Sequence, residues 1–328
     1  MNPEGTRQLD ANGRRQWRQR LLAWYDGNAR DLPWRQDRDP YRVWLSEVML
    51  QQTRVGAVLE HYRRFLQRFP TVQRLAAARE ASVLAAWSGL GYYRRARMLH
   101  AAAKVVVKKH QGSFPGTAAG LRDLPGIGRY TAAAIASIAF NAPTAVVDGN
   151  VERVLGRVFG DNLPEEDLWQ AAKDLLSRAR PGDFNQAMME LGATVCLPRQ
   201  PRCSVCPVLE LCATRGSLDR PAKTIRQKQK NICYTLDSRG SSIFLVQRPK
   251  HSSLMPGMWE LPEIPTDSDA DRASLTLRHS ITVTDYTVRV TQVPVQSGTA
   301  GRWVRKERII RLPLTGLARK ILRQAQVI

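Results

Sequence analysis

No run of apolar residues in this 328-residue chain is long enough to cross a bilayer, and the Arg-rich stretch from Met1 to Arg20 lacks the apolar core of a secretory signal. A cytoplasmic protein without membrane attachment is expected. The five histidines, His61, His100, His110, His251 and His279, are scattered, so neither a Ser-His-Asp arrangement nor a His-rich metal site emerges. Acids are few: 29 Asp and Glu against 50 Lys and Arg leave a formal charge of +21, which calls for a polyanionic partner. The basic residues sit among aromatics and turns rather than along one amphipathic helix, which favours nucleic acid over an acidic membrane surface. Cysteine is scarce too, and four of the five fall between Cys196 and Cys212. In a cytosolic chain such clustering argues for metal rather than disulfides. The fifth, Cys233, lies in the apolar run Ile232 to Leu236 and reads as a small buried hydrophobe. No internal repeat and no low-complexity tract is present.

What is there supports several packed domains, because the length is generous for one core and 43% of the residues are hydrophobic. From about Gly13 to Val195 apolar residues recur at three and four, which predicts successive helices. Arg42 to Phe69, Ala81 to Trp87, Arg94 to His110, Tyr130 to Phe140, Val151 to Phe159, Glu165 to Ala179 and Phe184 to Val195 are the clearest. Arg220 to Lys230 is basic throughout and reads as a linker. After it the period shortens, with strand-like runs at Ile243 to Val246, Ile281 to Val283 and Tyr286 to Val293, before Thr315 to Gln324 returns to helical spacing. The expected organisation is an all-α body over 1–219, a basic linker over 220–230 and an α+β domain over 231–328.

Three motifs carry chemistry. Leu124-Pro125-Gly126-Ile127-Gly128-Arg129-Tyr130 leads into an Ala-rich helix from Thr131. Its two glycines permit a tight turn and bring bare N–H groups, with a helix N-terminus, against a phosphate, as in a helix-hairpin-helix over 124–131; an ordinary helix-helix turn is the plain alternative. The cysteines follow as Cys196-x6-Cys203-x2-Cys206-x5-Cys212. Four thiolates so close in sequence suit one compact [4Fe-4S] cluster in the loop 196–212, with zinc as the runner-up. Arg199 and Arg202 project from the same loop. Third, Glu47 has Val43, Trp44, Leu50 and Gln51 as helical neighbours. A carboxyl on so apolar a face is desolvated and its pKa rises, which makes it a candidate general acid; a Glu paired by an Arg across the fold is the alternative. Asp148, after Val146-Val147, opens a helix and serves equally as an N-cap. Together the two acids match what cleavage of an N-glycosidic bond needs, a proton for the leaving base and an anion facing the cationic sugar.

As a set, Trp44-Leu45-Ser46-Glu47-Val48-Met49-Leu50-Gln51-Gln52-Thr53, Gly89-Leu90-Gly91-Tyr92-Tyr93-Arg94, the Leu-Pro-Gly-Ile-Gly hairpin, Val147-Asp148-Gly149-Asn150 and the cysteine spacing resemble the MutY adenine DNA glycosylases of the endonuclease III superfamily. The resemblance runs from about Asp31 to Cys212 and more loosely to the C-terminus. It implies a monomer that acts on double-stranded DNA, flips adenine out of its pair with 8-oxoguanine and protonates it from Glu47. Asp148, supported by Asn150, would stabilise the sugar intermediate. Tyr130 stands where bifunctional relatives carry a Schiff-base lysine, so the resemblance implies no lyase step. Gln52 and Tyr92 would wedge the duplex, Arg30, Trp34, Leu50 and Glu190 would line the adenine pocket, and Gly126 and Gly128 would meet the DNA backbone.

Leu245-Val246-Gln247-Arg248-Pro249 and Gly257-Met258-Trp259-Glu260-Leu261-Pro262 resemble the family's Nudix-like module, without the glutamate-rich metal helix of an active Nudix hydrolase. Where MutY proteins present Phe-Ser-His toward the oxidised guanine, this chain carries Ile281-Thr282-Val283, so Thr282 supplies a hydroxyl and the ring and imidazole are missing. Two other functions fit parts of the pattern: a thymine or uracil mismatch glycosylase, and a non-catalytic binder of DNA structure.

Overall fold

A computed structural model of the protein describes residues 9–160, 163–216, 228–265, 273–281 and 283–328. They gather into two compact units, one within 1–63, 71–73 and 101–221, the other within 64–70, 74–100 and 222–328.

The first unit is helical, and its helices begin where the sequence offers caps. Asp10 accepts from the Gly13 N–H (2.7 Å) at the start of α1 (Ala11–Asn28), and Asp39 accepts from Arg42 N–H (2.9 Å) ahead of α2 (Pro40–Leu50). The apolar pattern from Arg42 to Phe69 predicts one helix, and here the structure differs. α2 stops at Leu50, Gln52 takes φ 54°, and α3 (Val55–Arg68) starts afresh. No glycine or proline marks the break, so periodicity runs through it unseen. A left-handed non-glycine residue costs about 1 kcal/mol or more, which the surrounding packing offsets.

After the short α7 (Ala118–Arg122), α8 (Arg129–Phe140) forms the middle of this unit. Its Ala132, Ala133, Ala134, Ala136 and Ser137 are all buried, so α2, α7 and α11 (Pro181–Thr194) come close to its backbone. α9 (Gly149–Phe159) packs against α11, and α10 (Glu165–Leu175) against α9. Two glycines set how near α11 comes to its neighbours. A Cβ on Gly182 would stand 2.6 Å from the Ser137 carbonyl oxygen, and one on Gly192 would stand 2.6 Å from the Cβ of Asn150. Asn185 fastens the same contact through its amide, which donates to Ser137 Oγ (2.8 Å) and the Thr144 carbonyl (2.8 Å).

The second unit carries the sheets. In one, β1 (Lys228–Thr235) runs parallel to β7 (Thr284–Thr291), which pairs antiparallel with β6 (Leu275–Ile281), while β5 (Glu263–Ile264) lines the other side of β1. In the other, β3 (Ser242–Gln247) pairs with β2 (Ser238–Arg239), β4 (Trp259–Glu260) and β8 (Arg302–Arg305). Ile232, Tyr234 and Leu236 alternate into a core with Leu245, Val288, Val290 and the apolar face of α13 (Gly316–Gln324), a helix capped by Thr315. Cys233 is buried.

Two expectations shift. Lys228 to Lys230, read as linker, belong to β1, where they pair with Thr284 to Tyr286; residues 217–227 lie outside the described residues. Val283, read as strand, sits in the turn between β6 and β7 and is 43% exposed, and Thr282 lies outside the described residues. The unit also takes in the short α5 (Glu80–Trp87) and the start of α6 (Tyr93–His110). Among the described residues no helix is long and apolar enough to cross a membrane.

The close approach at Gly192 generates a stability prediction. Gly192→Ala should lower the free energy of urea unfolding by about 1–3 kcal/mol. Gly128→Ala, whose Cβ would meet nothing within 4 Å, should stay within about 1 kcal/mol of the parent. Equal effects at the two positions would contradict the packing described.

Candidate active site

Glu47 occupies the third turn of α2 and is 6% exposed. The Tyr130 hydroxyl, from the first turn of α8, donates to its Oε2 at 2.6 Å and also lies 3.3 Å from the sulfur of Met189 on α11. Burial pushes the carboxyl up to about 7; the bond from Tyr130 opposes this, the charge of Asp148 adds to it, and Arg35 opposes it. Desolvation outweighs both opposing effects, so the ionised form is disfavoured by about 3 kcal/mol relative to an ordinary glutamate. The same burial, with the charges of Glu47 and Asp148, raises the Tyr130 phenol well above its usual range and keeps it a neutral donor. Of the two possibilities the sequence left open for Glu47, the fold gives it a phenol as hydrogen-bond partner rather than an arginine.

Asp148 is the N-cap of α9. Its Oδ1 accepts from the N–H groups of Asn150 (2.9 Å) and Val151 (2.7 Å), and its Oδ2 from the Asn150 side-chain amide (3.0 Å). Cap and electrostatic neighbour of Glu47 are thus one residue. Asn150 is held in turn by Arg153, whose guanidinium donates to Asn150 Oδ1 (2.7 Å), the Gly192 carbonyl (2.7 Å) and the Cys196 carbonyl (2.8 Å).

Glu190, one residue beyond Met189, is 1% exposed and receives Arg30 through Nε (2.6 Å) and Nη2 (2.9 Å) and Arg35 through Nη2 (2.8 Å). Burial alone would raise its pKa; the two guanidiniums reverse the sign and hold it below the usual carboxylate range. Trp34 is buried at 7% exposure and meets Tyr62 edge-on at 5.3 Å, and Leu50 ends α2 half-buried. At the hairpin Leu124 and Ile127 turn inward, while Gly126 (φ 76°) and Gly128, the N-cap of α8, are exposed. Gln52 is exposed in its left-handed conformation. Tyr92, in the second unit, is 48% exposed at φ 48°.

Cys196 follows α11, and Cys203, Cys206 and Cys212 flank two short 3-10 turns, all four partly exposed. Arg157 donates to Cys196 Sγ (3.2 Å) and to the carbonyls of Leu197 (2.7 Å) and Pro198 (2.9 Å). Burial pushes the Cys206 thiol up to about 11, with the charges of Cys196, Cys212 and Cys203 adding to it, so the four sulfurs sense one another. Among the described residues no three His, Cys, Asp or Glu groups converge tightly enough for a single ion.

Sequence reasoning missed Arg35, Met189, Arg153 and Arg157. The last two carried a signal: their spacing of four puts both on one face of α9. Nothing local marks Arg35 or Met189, whose partners lie 155 and 59 residues away in the chain.

Residues 45–177 match the model of a family described as HhH-GPD superfamily base excision DNA repair protein. A Mus musculus protein named adenine DNA glycosylase is 37% identical over 398 aligned residues, covering 94% of this chain and 77% of that protein. Its Rattus norvegicus namesake is 42% identical over 311 residues, covering 76% of this chain and 60% of that protein. A solved structure described as a thermostable thymine-DNA glycosylase superposes with a TM-score of 0.59 at 31% identity, over 62% of this chain and 97% of that one.

The raised pKa of Glu47 has a consequence for stability. Below about 4.5 the carboxyl is neutral folded and unfolded and costs nothing; between there and about 7 only the unfolded chain ionises, so stability is lost as pH rises and the loss is complete above 7. Glu47→Gln should therefore stabilise the fold by about 1–3 kcal/mol at pH 8 and by little at pH 4, read as shifts in the urea midpoint. A gain equal at both pH values would rule out this origin.

Proposed function

Since the chain belongs to the adenine DNA glycosylases, we propose that it hydrolyses the N-glycosidic bond of adenine mispaired with 8-oxoguanine or guanine in double-stranded DNA, as a monomer and without a lyase step. The observation that carries this reading is the buried Glu47, held by the Tyr130 hydroxyl, with its pKa raised to about 7 by burial and by the charge of Asp148. Two carboxyls whose surroundings divide their roles are what acid-assisted glycoside cleavage requires. With the adenine extruded, the Glu47 carboxyl gives its proton to N7 as the electrons of the glycosidic bond pass to the base. Adenine departs neutral. Asp148, fixed by three N–H donors, faces the positive sugar until water adds to the sugar and gives up its proton to the Glu47 carboxylate left by the first step. Tyr130 orients the acid and has no amine to capture the sugar, which supports release of the base without strand cleavage.

Gln52 and Tyr92, both exposed and both in the left-handed region, read as wedges that fill the opened duplex. Arg30, Trp34, Leu50 and Glu190 read as the pocket for the extruded base, and the exposed glycines of the hairpin as a phosphate contact. Cys196, Cys203, Cys206 and Cys212 fit a [4Fe-4S] cluster as an all-thiolate donor set. When bound, the cluster would supply a fixed anionic brace for a loop that carries Arg199 and Arg202. The second unit reads as a Nudix-like recognition domain, in which Thr282 addresses the base opposite adenine. A second reading, excision of thymine from mismatches with guanine, draws on the thymine-DNA glycosylase likeness.

A panel of duplexes decides. Adenine opposite 8-oxoguanine should yield abasic sites that break only after alkali, and Glu47→Gln should slow release by about 100-fold or more. In the parent protein the single-turnover rate should fall as pH rises past about 7 and the acid ionises. Full activity of Glu47→Gln would overturn the acid assignment; preferential release of thymine would favour the second reading; trapping on DNA by borohydride would overturn the absence of a lyase step.

A further inference from the structure

The turn that presents Tyr92 is anchored at both ends on one carbonyl of the second unit. Ser88 Oγ donates to the Leu314 carbonyl oxygen at 3.0 Å, and the Tyr93 hydroxyl donates to the same oxygen at 3.0 Å. Between these anchors Gly89 (φ 114°), Gly91 (φ 70°) and Tyr92 (φ 48°) all hold positive φ, a conformation that Tyr92 in particular does not adopt unaided. From within the turn, Trp87 Nε1 donates to the Gly91 carbonyl at 3.1 Å, and the Arg95 guanidinium lies over the Trp87 ring (5.6 Å) and the Tyr92 ring (5.1 Å). From α13, Arg319 Nε donates to Ser88 Oγ at 2.9 Å. A serine hydroxyl has one proton; with Arg319 occupying an acceptor site, that proton is directed onto Leu314. Leu314 is itself fixed, fully buried and bridged to Trp259, whose carbonyl receives the Thr315 N–H at 2.9 Å.

We infer that Arg319 is a positioning residue for Tyr92: by orienting the Ser88 hydroxyl toward the Leu314 carbonyl, it holds the exposed ring in the pose that enters an opened duplex. The C-terminal helix thereby contributes to base extrusion without touching the base. This rests on the wedge reading of Tyr92 given above, and the two can fail separately.

The test is a double-mutant cycle on the full chain with Arg319→Met and Tyr92→Ala, read by single-turnover adenine release and by the fluorescence rise of 2-aminopurine placed next to the target. Arg319→Met should slow release by about tenfold and blunt the fluorescence rise, with the thermal midpoint nearly unchanged. Arg319→Lys should recover much of the rate. In the Tyr92→Ala background Arg319→Met should add less than about twofold. Equal slowing in both backgrounds, or no slowing in the parent, would overturn the role of Arg319. Tyr92→Ala matching the parent would remove the wedge reading and this inference with it. Should Arg319→Met fail to fold, Ser88→Ala interrupts the same relay and is held to the same outcomes.

Discussion

One carboxyl kept away from water sets the requirements for the first unit. Glu47 has two groups drawing its pKa down, the Tyr130 hydroxyl and the Arg35 guanidinium, and only its burial and the charge of Asp148 drive it up. The net direction survives only while the helices stay close. That closeness comes from small residues: the alanines of α8, Gly182 against the Ser137 carbonyl, and Gly192 against Asn150. Larger side chains there would press α11 away from α8 and α9. α11 also supplies Met189 beside the Tyr130 hydroxyl and Glu190 beneath Arg30 and Arg35, so the helix that closes the site also furnishes part of its wall.

The two carboxyls interact electrostatically, and their surroundings differ. Asp148 is partly exposed and accepts from N–H groups at the N-terminal end of α9. Glu47 is buried and accepts from the Tyr130 phenol. Behind Asp148 the support continues through Asn150 to Arg153, and from Arg153 and Arg157 to the backbone and sulfur of the cysteine loop.

Much of this was legible in the sequence for definite reasons. Val43, Trp44 and Leu50 around Glu47 announced its desolvation, and Asp148 before Gly149-Asn150 announced a cap. The helical periods of α8, α9 and α11 held because each buries one face or is small enough to bury all of them. What escaped reading depended on distance or on strain. The break at Gln52 has no glycine or proline to mark it. Lys228 to Lys230 are charged yet pair in β1, because strand pairing satisfies their backbone whatever the side chains carry. That the Gly89–Tyr93 turn belongs with the C-terminal unit follows from hydrogen bonds between Ser88, Tyr93, Leu314 and Arg319, more than 200 residues apart in sequence and without any local pattern.

The protonation of Glu47 near neutral pH can be read directly. Protein labelled with 13C at the glutamate carboxyl carbons, with Glu47→Gln used to assign the resonance, would be titrated by NMR from pH 4 to 9. A midpoint near 7 is expected from the buried site. A midpoint near 4.5, the value of a solvated glutamate, would contradict it.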